Sequence, residues 1–182
     1  MGKYVGQSVI RIDGPERVTG KTIYAPDIQF SDMLYGAVAR SSHAHALLKE
    51  IRTEKARRSP GVRAVITGDM LPYMFGSMIA DQPFLAKDRV RYNGEPIALV
   101  IAESELEAQM AADAIEASYE DLPAVFDVFE ALKDDAPLVH EDQHAYRRDP
   151  ARYPALDHTN ICNETSYELG DVEKAFAQAD HV

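Results

Sequence analysis

Two groups of histidines have the residue types and spacing that could do chemistry. His140-Glu141-Asp142-Gln143-His144 fits the pattern H-E-x-x-H. In zinc hydrolases with this pattern, two histidines one helical turn apart bind the metal and the glutamate activates water. That chemistry needs a helix anchored by an apolar face. Here Pro137 stands upstream, Asp142 and Gln143 fill the centre, and Arg147-Arg148-Asp149-Pro150 follows without periodic apolar residues. The expectation is a solvated linker, not a zinc site. His43-Ala44-His45 has no acidic or thiol partner near it in sequence. It reads as a turn with one histidine hydrogen-bonded to backbone. The acidic pairs Glu120-Asp121 and Asp134-Asp135 read as solvated. No G-x-G-x-x-G, P-loop or G-x-S-x-G motif occurs. Cys162 is the one cysteine in the sequence, so these residues alone form neither a disulfide nor a thiolate cluster. No catalytic, cofactor-binding or metal-ligating residue is assigned.

The most strongly specified elements lie in residues 89–117. Val90-Arg91-Tyr92 favours β structure, and Asn93-Gly94 is a strong hairpin signal because a type I′ turn needs φ > 0 at both central residues. Ile97-Ala98-Leu99-Val100-Ile101-Ala102 reads as a strand buried on both faces. Ser104 with Glu107 forms a capping box, and Leu106, Met110, Ala111, Ala114 and Ile115 recur at helical spacing. A helix over 104–117 at roughly 1.5 Å per residue is about 21 Å long. Pro96 lacks an N–H, so its strand starts at an edge or at Ile97.

Around this unit the reading is coarser. Residues 1–21 are polar and read as an extended arm. Residues 24–32 read as a loop. Strands are expected over 34–40, 46–52 and 62–67, with a short helix over 53–59 stopped by Pro60-Gly61. Residues 69–87 read as a long Met-containing loop. A strand over 119–123 precedes a short helix over 127–133 with Asp127 as N-cap. Residues 134–163 read as a linker, 164–169 as a strand, and 171–179 as a helix capped by Asp171.

With 182 residues, 46% hydrophobic and 27% charged, the chain has ordinary globular composition. A domain of this size buries roughly 70% of its extended-chain surface. The net charge of −11 argues against a nucleic-acid partner. No apolar run approaches the ~20 residues of a membrane span. The first residues lack the apolar core of a secretory signal. A soluble, cytoplasmic protein is the expectation.

Several ordered blocks carry a resemblance. They are Gly6-Gln7-Ser8-Val9-Ile10-Arg11-Ile12-Asp13, with Val18-Thr19-Gly20, Tyr24 and Asp27; Met33-Leu34-Tyr35-Gly36; and Arg40-Ser41-Ser42-His43-Ala44-His45-Ala46. Further along stand Pro60-Gly61-Val62 with Ala64-Val65, Val90-Arg91-Tyr92-Asn93-Gly94-Glu95-Pro96-Ile97-Ala98, and Tyr119-Glu120-Asp121-Leu122-Pro123-Ala124-Val125. Ser42 departs from the pattern, which often has proline there. The tail, Gly170-Asp171 with Phe176 and Ala179-Asp180, is similar to the opening of the family's next region. The chain resembles the amino-terminal part of the molybdenum-binding large subunit of the xanthine dehydrogenase/aldehyde oxidase family, the molybdenum hydroxylases.

The resemblance implies an α+β fold: an α/β-hammerhead with a mixed, partly barrel-like sheet and flanking helices. It implies an arm over 1–21, the hammerhead over 22–135, a linker over 136–163 and the truncated start of the molybdopterin-binding region over 164–182. The complete enzyme would hydroxylate a heterocycle or aldehyde with oxygen from water. It would use a molybdopterin-type cofactor, with [2Fe–2S] clusters and FAD in other domains or subunits. The cofactor contacts and catalytic glutamate of the family lie outside this sequence, so the chain itself binds no cofactor and is non-catalytic. Its partners would be the molybdopterin-binding region of the same subunit and iron–sulfur and FAD subunits. Arg40, His43, His45, Tyr92, Asn93, Gly94 and Glu95 are the candidate interface to the molybdopterin region. The rival reading is a stand-alone acidic binding module without enzymatic activity.

Overall fold

The computed structural model describes residues 5–167 and 169–181, in two units, Met1–Met33 and Leu34–Val182. In the first unit, helix α1 (Gly14–Val18) carries Pro15 in its first turn, where a missing N–H costs nothing. The Asp13 carboxylate accepts from Arg17 at 2.8 Å, four residues on, and also from Arg11. This local pairing makes residues 14–18 helical, which corrects the expectation of an extended arm across 1–21; residues 1–4 lie outside the described residues. A single 3₁₀ turn, Ala25–Asp27, follows. Val9, Ile10 and Ile12 are exposed.

The second unit contains, in order, β1 (Tyr35–Arg40), β2 (Ala46–Arg52), α2 (Glu54–Arg57), β3 (Val62–Thr67), β4 (Met74–Phe75), β5 (Ile79–Ala80) and β6 (Gln82–Pro83). Then come β7 (Arg89–Val90), β8 (Pro96–Ala102), α3 (Glu105–Asp113), β9 (Glu116–Asp121), α4 (Val128–Ala131), β10 (Arg147–Arg148) and α5 (Val172–Gln178). Two three-stranded sheets, β1-β8-β3 and β7-β2-β9, dominate, and β10-β5 and β4-β6 form two-stranded ribbons. Every described pairing is antiparallel. The expected mixed sheet is therefore replaced by small antiparallel sheets. None closes into a barrel, because strands of two to seven residues are too short and too few in each sheet.

The apolar run at residues 97–102 lies within the central strand of its sheet, β8, and Ile97, Ala98, Val100 and Ala102 are all buried. Pro96 is the first residue of β8, a place where its missing donor is tolerated. One core cluster packs Ala108, Ala111 and Ala112 of α3 against Ala37, Val65, Val100 and Ala102. A second joins the two larger sheets through Ala39, Ala46, Leu48, Val90 and Ile97.

Helix α3 departs from its expected form in two ways. It has nine residues, because Glu116 already pairs with Arg52 at the start of β9. Its inward face is alanine, while Leu106 and Met110 are exposed. The sheet comes close to the helix backbone, and only small side chains fit between them. Ser104 caps the helix by accepting from the Glu107 N–H at 3.3 Å, but Glu107 accepts the Ser104 hydroxyl instead of returning to backbone.

Elsewhere the match is uneven. Asp127 and Asp171 cap their helices as expected. Described residues 164–167 and 169 form no strand, since no partner strand lies beside them; residue 168 lies outside the described residues. The solvated linker at 134–163 is also corrected. Gln143 is buried and donates to the carbonyls of Thr159 and Ile161, and Asn160 ties Ala131, Pro137 and Val139 together. Strand β10 pairs with β5.

Gly68 marks a close backbone approach. A Cβ there would lie 2.7 Å from the Ala86 carbonyl oxygen and 2.8 Å from that of Leu85. Gly68→Ala is expected to cost roughly 1–3 kcal/mol through overpacking. An unchanged urea midpoint would contradict this packing.

Candidate functional site: the turn at Tyr92–Glu95

The Tyr92–Glu95 segment is a turn, closed by the Glu95 N–H donating to the Tyr92 carbonyl at 3.2 Å. It is not the hairpin expected. Gly94 has φ 90°, while Asn93 is not among the described non-glycine residues with positive φ. One positive φ at the third position is the signature of a type II turn, which splays the flanking strands. Accordingly β7 joins β2 and β8 joins β1 and β3, so the turn passes the chain from one sheet to the other.

The turn is held by the stretch after β1. Arg40 donates to the Gly94 carbonyl at 2.9 Å, and the Asn93 amide donates to the Ser42 carbonyl at 3.0 Å. The Gly94 N–H donates to the Ser41 carbonyl, and the Ser41 N–H donates to the Glu95 carbonyl. Two sequence blocks some fifty residues apart thus form one edge. Of the candidate interface residues Arg40, His43, His45, Tyr92, Asn93, Gly94 and Glu95, the structure ties Arg40 to Gly94 and sets Asn93 against Ser42, the neighbour of His43. Sequence reasoning missed Ser41, Ser42, Tyr119 and Asp121. His43 stacks on Tyr119 with ring centroids 4.2 Å apart, and its Nδ1 lies 2.6 Å from Asp121 Oδ1. Asp121 is 78 residues away in sequence, and no local spacing signals the pair.

Tyr92 is 54% exposed and Asn93 is exposed. His45 and Glu95 lie beneath. His45 is buried, with Nδ1 2.7 Å from the Pro123 carbonyl oxygen. A carbonyl only accepts, so Nδ1 carries the proton; Nε2 is buried without a partner among the described residues. Glu95 is 3% exposed and accepts from the Arg91 N–H. Burial raises its carboxyl above the ordinary 4.5, against the opposing pull of the Arg91 N–H and guanidinium and the Tyr92 N–H.

The H-E-x-x-H groups diverge. His140 Nδ1 is 2.7 Å from the Tyr146 hydroxyl, His144 pairs with Asp157 at 2.8 Å, and Glu141 pairs with Arg89 at 2.8 Å. His144 lies in a single 3₁₀ turn, Gln143–Ala145, not on a helix with His140. Among the described residues no three His, Cys, Asp or Glu side chains stand together to hold a metal ion. His140 instead walls an apolar cavity of about 370 Å³ with Val125, Val128 and Val139. Burial, then the Arg91 charge, lowers the His140 pKa below the ordinary 6.5. The folded form resists a proton that the unfolded chain binds, so stability falls as pH drops below about 6.5. Amide protection factors around residues 139–148, taken relative to intrinsic exchange at each pH, are expected to fall as pH drops below that value, and His140→Asn is expected to flatten the change. An acid response equally steep in the variant would contradict this.

Residues 19–123, more than half of the chain, match the family described as the aldehyde oxidase and xanthine dehydrogenase a/b hammerhead domain. A probable xanthine dehydrogenase subunit of Bacillus subtilis (strain 168) is 38% identical over 177 residues, covering 96% of this chain and 22% of that protein. The nicotinate dehydrogenase large molybdopterin subunit of Eubacterium barkeri is 37% identical over 187 residues, covering 100% of this chain and 40% of that protein. The reconstituted CO dehydrogenase from Oligotropha carboxidovorans superposes with a TM-score of 0.70 at 37% identity, over 73% of this chain and 17% of that one. The aldehyde oxidoreductase from Desulfovibrio gigas gives 0.65 at 31% identity, over 71% and 16%. The chain thus spans less than half the length of these proteins. With two larger sheets meeting at a turn built from the most distinctive sequence block, and with these matches, the chain belongs to the aldehyde oxidase and xanthine dehydrogenase family and carries its α/β-hammerhead domain.

Proposed function

We propose that this chain is the amino-terminal structural domain of a molybdenum hydroxylase large subunit. In this reading the complete enzyme oxidatively hydroxylates a heterocycle or aldehyde with oxygen taken from water. The observation that carries the reading is the match of nearly the whole chain to large subunits of which it forms 22% to 40%. The chain itself is non-catalytic. In this reading the cofactor is held by other residues; here the imidazoles of His43 and His144 each face one aspartate. The molybdenum cofactor, held elsewhere, supplies the two-electron oxidation, with [2Fe–2S] clusters and FAD in other domains or subunits.

What this chain contributes is a rigid surface. Arg40, His43, Tyr92, Asn93 and Gly94 form the edge that meets the molybdopterin-binding region of the same subunit. His45 and Glu95 support that edge from beneath. Residues 1–21 serve as an arm, 22–135 as the hammerhead, 136–163 as the connection and 164–182 as the start of the next region. Irregular pairing in β1, β2 and β3 bends the strands, which supports the partly barrel-like curvature the resemblance implies. Iron–sulfur and flavin subunits complete the assembly, in the cytoplasm. No helix among the described residues is long and apolar enough to cross a membrane.

The test is the source of oxygen. The complete enzyme, turning over xanthine, nicotinate or an aldehyde in isotopically labelled water, is expected to place the label in the product. Product labelled from dioxygen instead would overturn the reading.

A further inference from the structure

The segment expected to be a solvated linker instead helps to enclose a cavity of about 370 Å³. Cavities of roughly 300–1,000 Å³ hold small molecules. Ile79, Val125, Val128 and Val139 give this one apolar walls, and Phe126 and Val128, 86% and 71% exposed, stand at its mouth. Most polar groups of the wall are already spent on holding it together. Gln143 donates to the Thr159 and Ile161 carbonyls, Asn160 donates to those of Ala131 and Pro137, and the Asp127 carboxylate caps α4. The Arg148 guanidinium donates to the Gln143 and Pro154 carbonyls, and its Nε is enclosed. What stays open is an uncharged pair. His140 Nδ1 lies 2.7 Å from the Tyr146 hydroxyl with the two rings edge to face, and Nε2 has no partner among the described residues. Burial keeps the imidazole unprotonated at neutral pH. Asp81, also on the wall, makes no ion pair among the described residues and repels an anion.

We infer that this cavity is a binding site for a neutral one-ring molecule bearing a hydroxyl group, with the ring between the valines and the hydroxyl on the His140–Tyr146 pair. A hydroxyl suits either tautomer of His140, since it donates to a bare Nε2 and accepts from a protonated one. A carboxylate would meet Asp81 and find no free cation, because Arg148 is committed to carbonyls. A plain hydrocarbon ring would leave Nε2 unmatched against apolar surface. The site goes beyond the proposed enzymatic reading and does not rest on it.

Fluorine NMR on the full-length large subunit measures binding of para-fluorophenol, fluorobenzene and para-fluorobenzoate. Para-fluorophenol is expected to bind about fivefold more tightly than fluorobenzene, the effect of one net hydrogen bond. It is expected to bind about tenfold or more tightly than para-fluorobenzoate. Val128→Trp plugs the mouth from an exposed position and should remove this site for both neutral rings. His140→Phe should keep both bound and erase the preference for the phenol. Circular dichroism checks each variant, and if His140→Phe does not fold, Val128→Trp decides alone. Binding unchanged in Val128→Trp overturns the inference, as does a preference that survives His140→Phe. Absence of para-fluorophenol binding to the wild-type subunit also overturns it, because the subunit's own chain then fills the cavity. Failure of the labelled-water experiment counts against the enzymatic reading and leaves this measurement untouched.

Discussion

Val100→Asp is expected to leave no folded domain. Val100 is fully buried in the middle of β8, between β1 and β3 and under α3. An unpaired carboxylate there has no donor to meet it, and the loss exceeds about 4 kcal/mol. That is comparable to the whole stability of a domain, roughly 5–15 kcal/mol. The variant should be insoluble or lack cooperative unfolding by circular dichroism. Leu106→Asp, with the same chemistry on the exposed face of α3, should keep the wild-type stability within about 0.5 kcal/mol by urea unfolding. A folded Val100→Asp, or a collapsed Leu106→Asp, would mean that the helix faces the sheet the other way.

Glu95→Ala is the second large effect. The Glu95 carboxyl stands beneath the turn and accepts from the backbone N–H of Arg91. Alanine leaves that donor unmatched, at a cost of roughly 1–3 kcal/mol. Glu95→Gln keeps one acceptor oxygen and should lose less. The glutamine and glutamate forms also differ with pH. Because burial raises the Glu95 carboxyl above 4.5, the folded state holds a proton that the unfolded chain releases. Stability contributed by this group is present below about pH 4.5 and declines as pH rises through the raised value. The gap between wild type and Glu95→Gln should therefore narrow as pH increases over that window. A gap that widens would contradict the buried placement.

The parts of this architecture that were legible in the sequence are those set by local rules. The uninterrupted apolar run of β8, the Ser104, Asp127 and Asp171 caps, and the strands ending near Arg40, Arg52 and Thr67 all follow from neighbours a few residues away. The rest depended on distant partners. Asn93-Gly94 satisfies a hairpin and a sheet-crossing turn equally well, and Arg40 and Ser42 decide between them. On α3, both the alanine face and the Leu106–Met110 face repeat at helical spacing. The close approach of the sheet selects the small one. Residues 134–163 showed no apolar period because amides, not hydrocarbon, anchor them: Gln143 and Asn160 reach carbonyls 16 to 29 residues away. The edge at the candidate site was legible as a list of residues. The contact of His43 with Asp121 was not, because 78 residues separate the two.

The most direct measurement of the central claim is molybdenum per polypeptide by elemental analysis. It is made on this 182-residue chain and on the full-length large subunit, both produced in cells that make the cofactor. The account predicts near-stoichiometric molybdenum in the full-length subunit and none above background in this chain. Near-stoichiometric molybdenum in the 182-residue chain would contradict its assignment as a structural domain that leaves the cofactor to other residues.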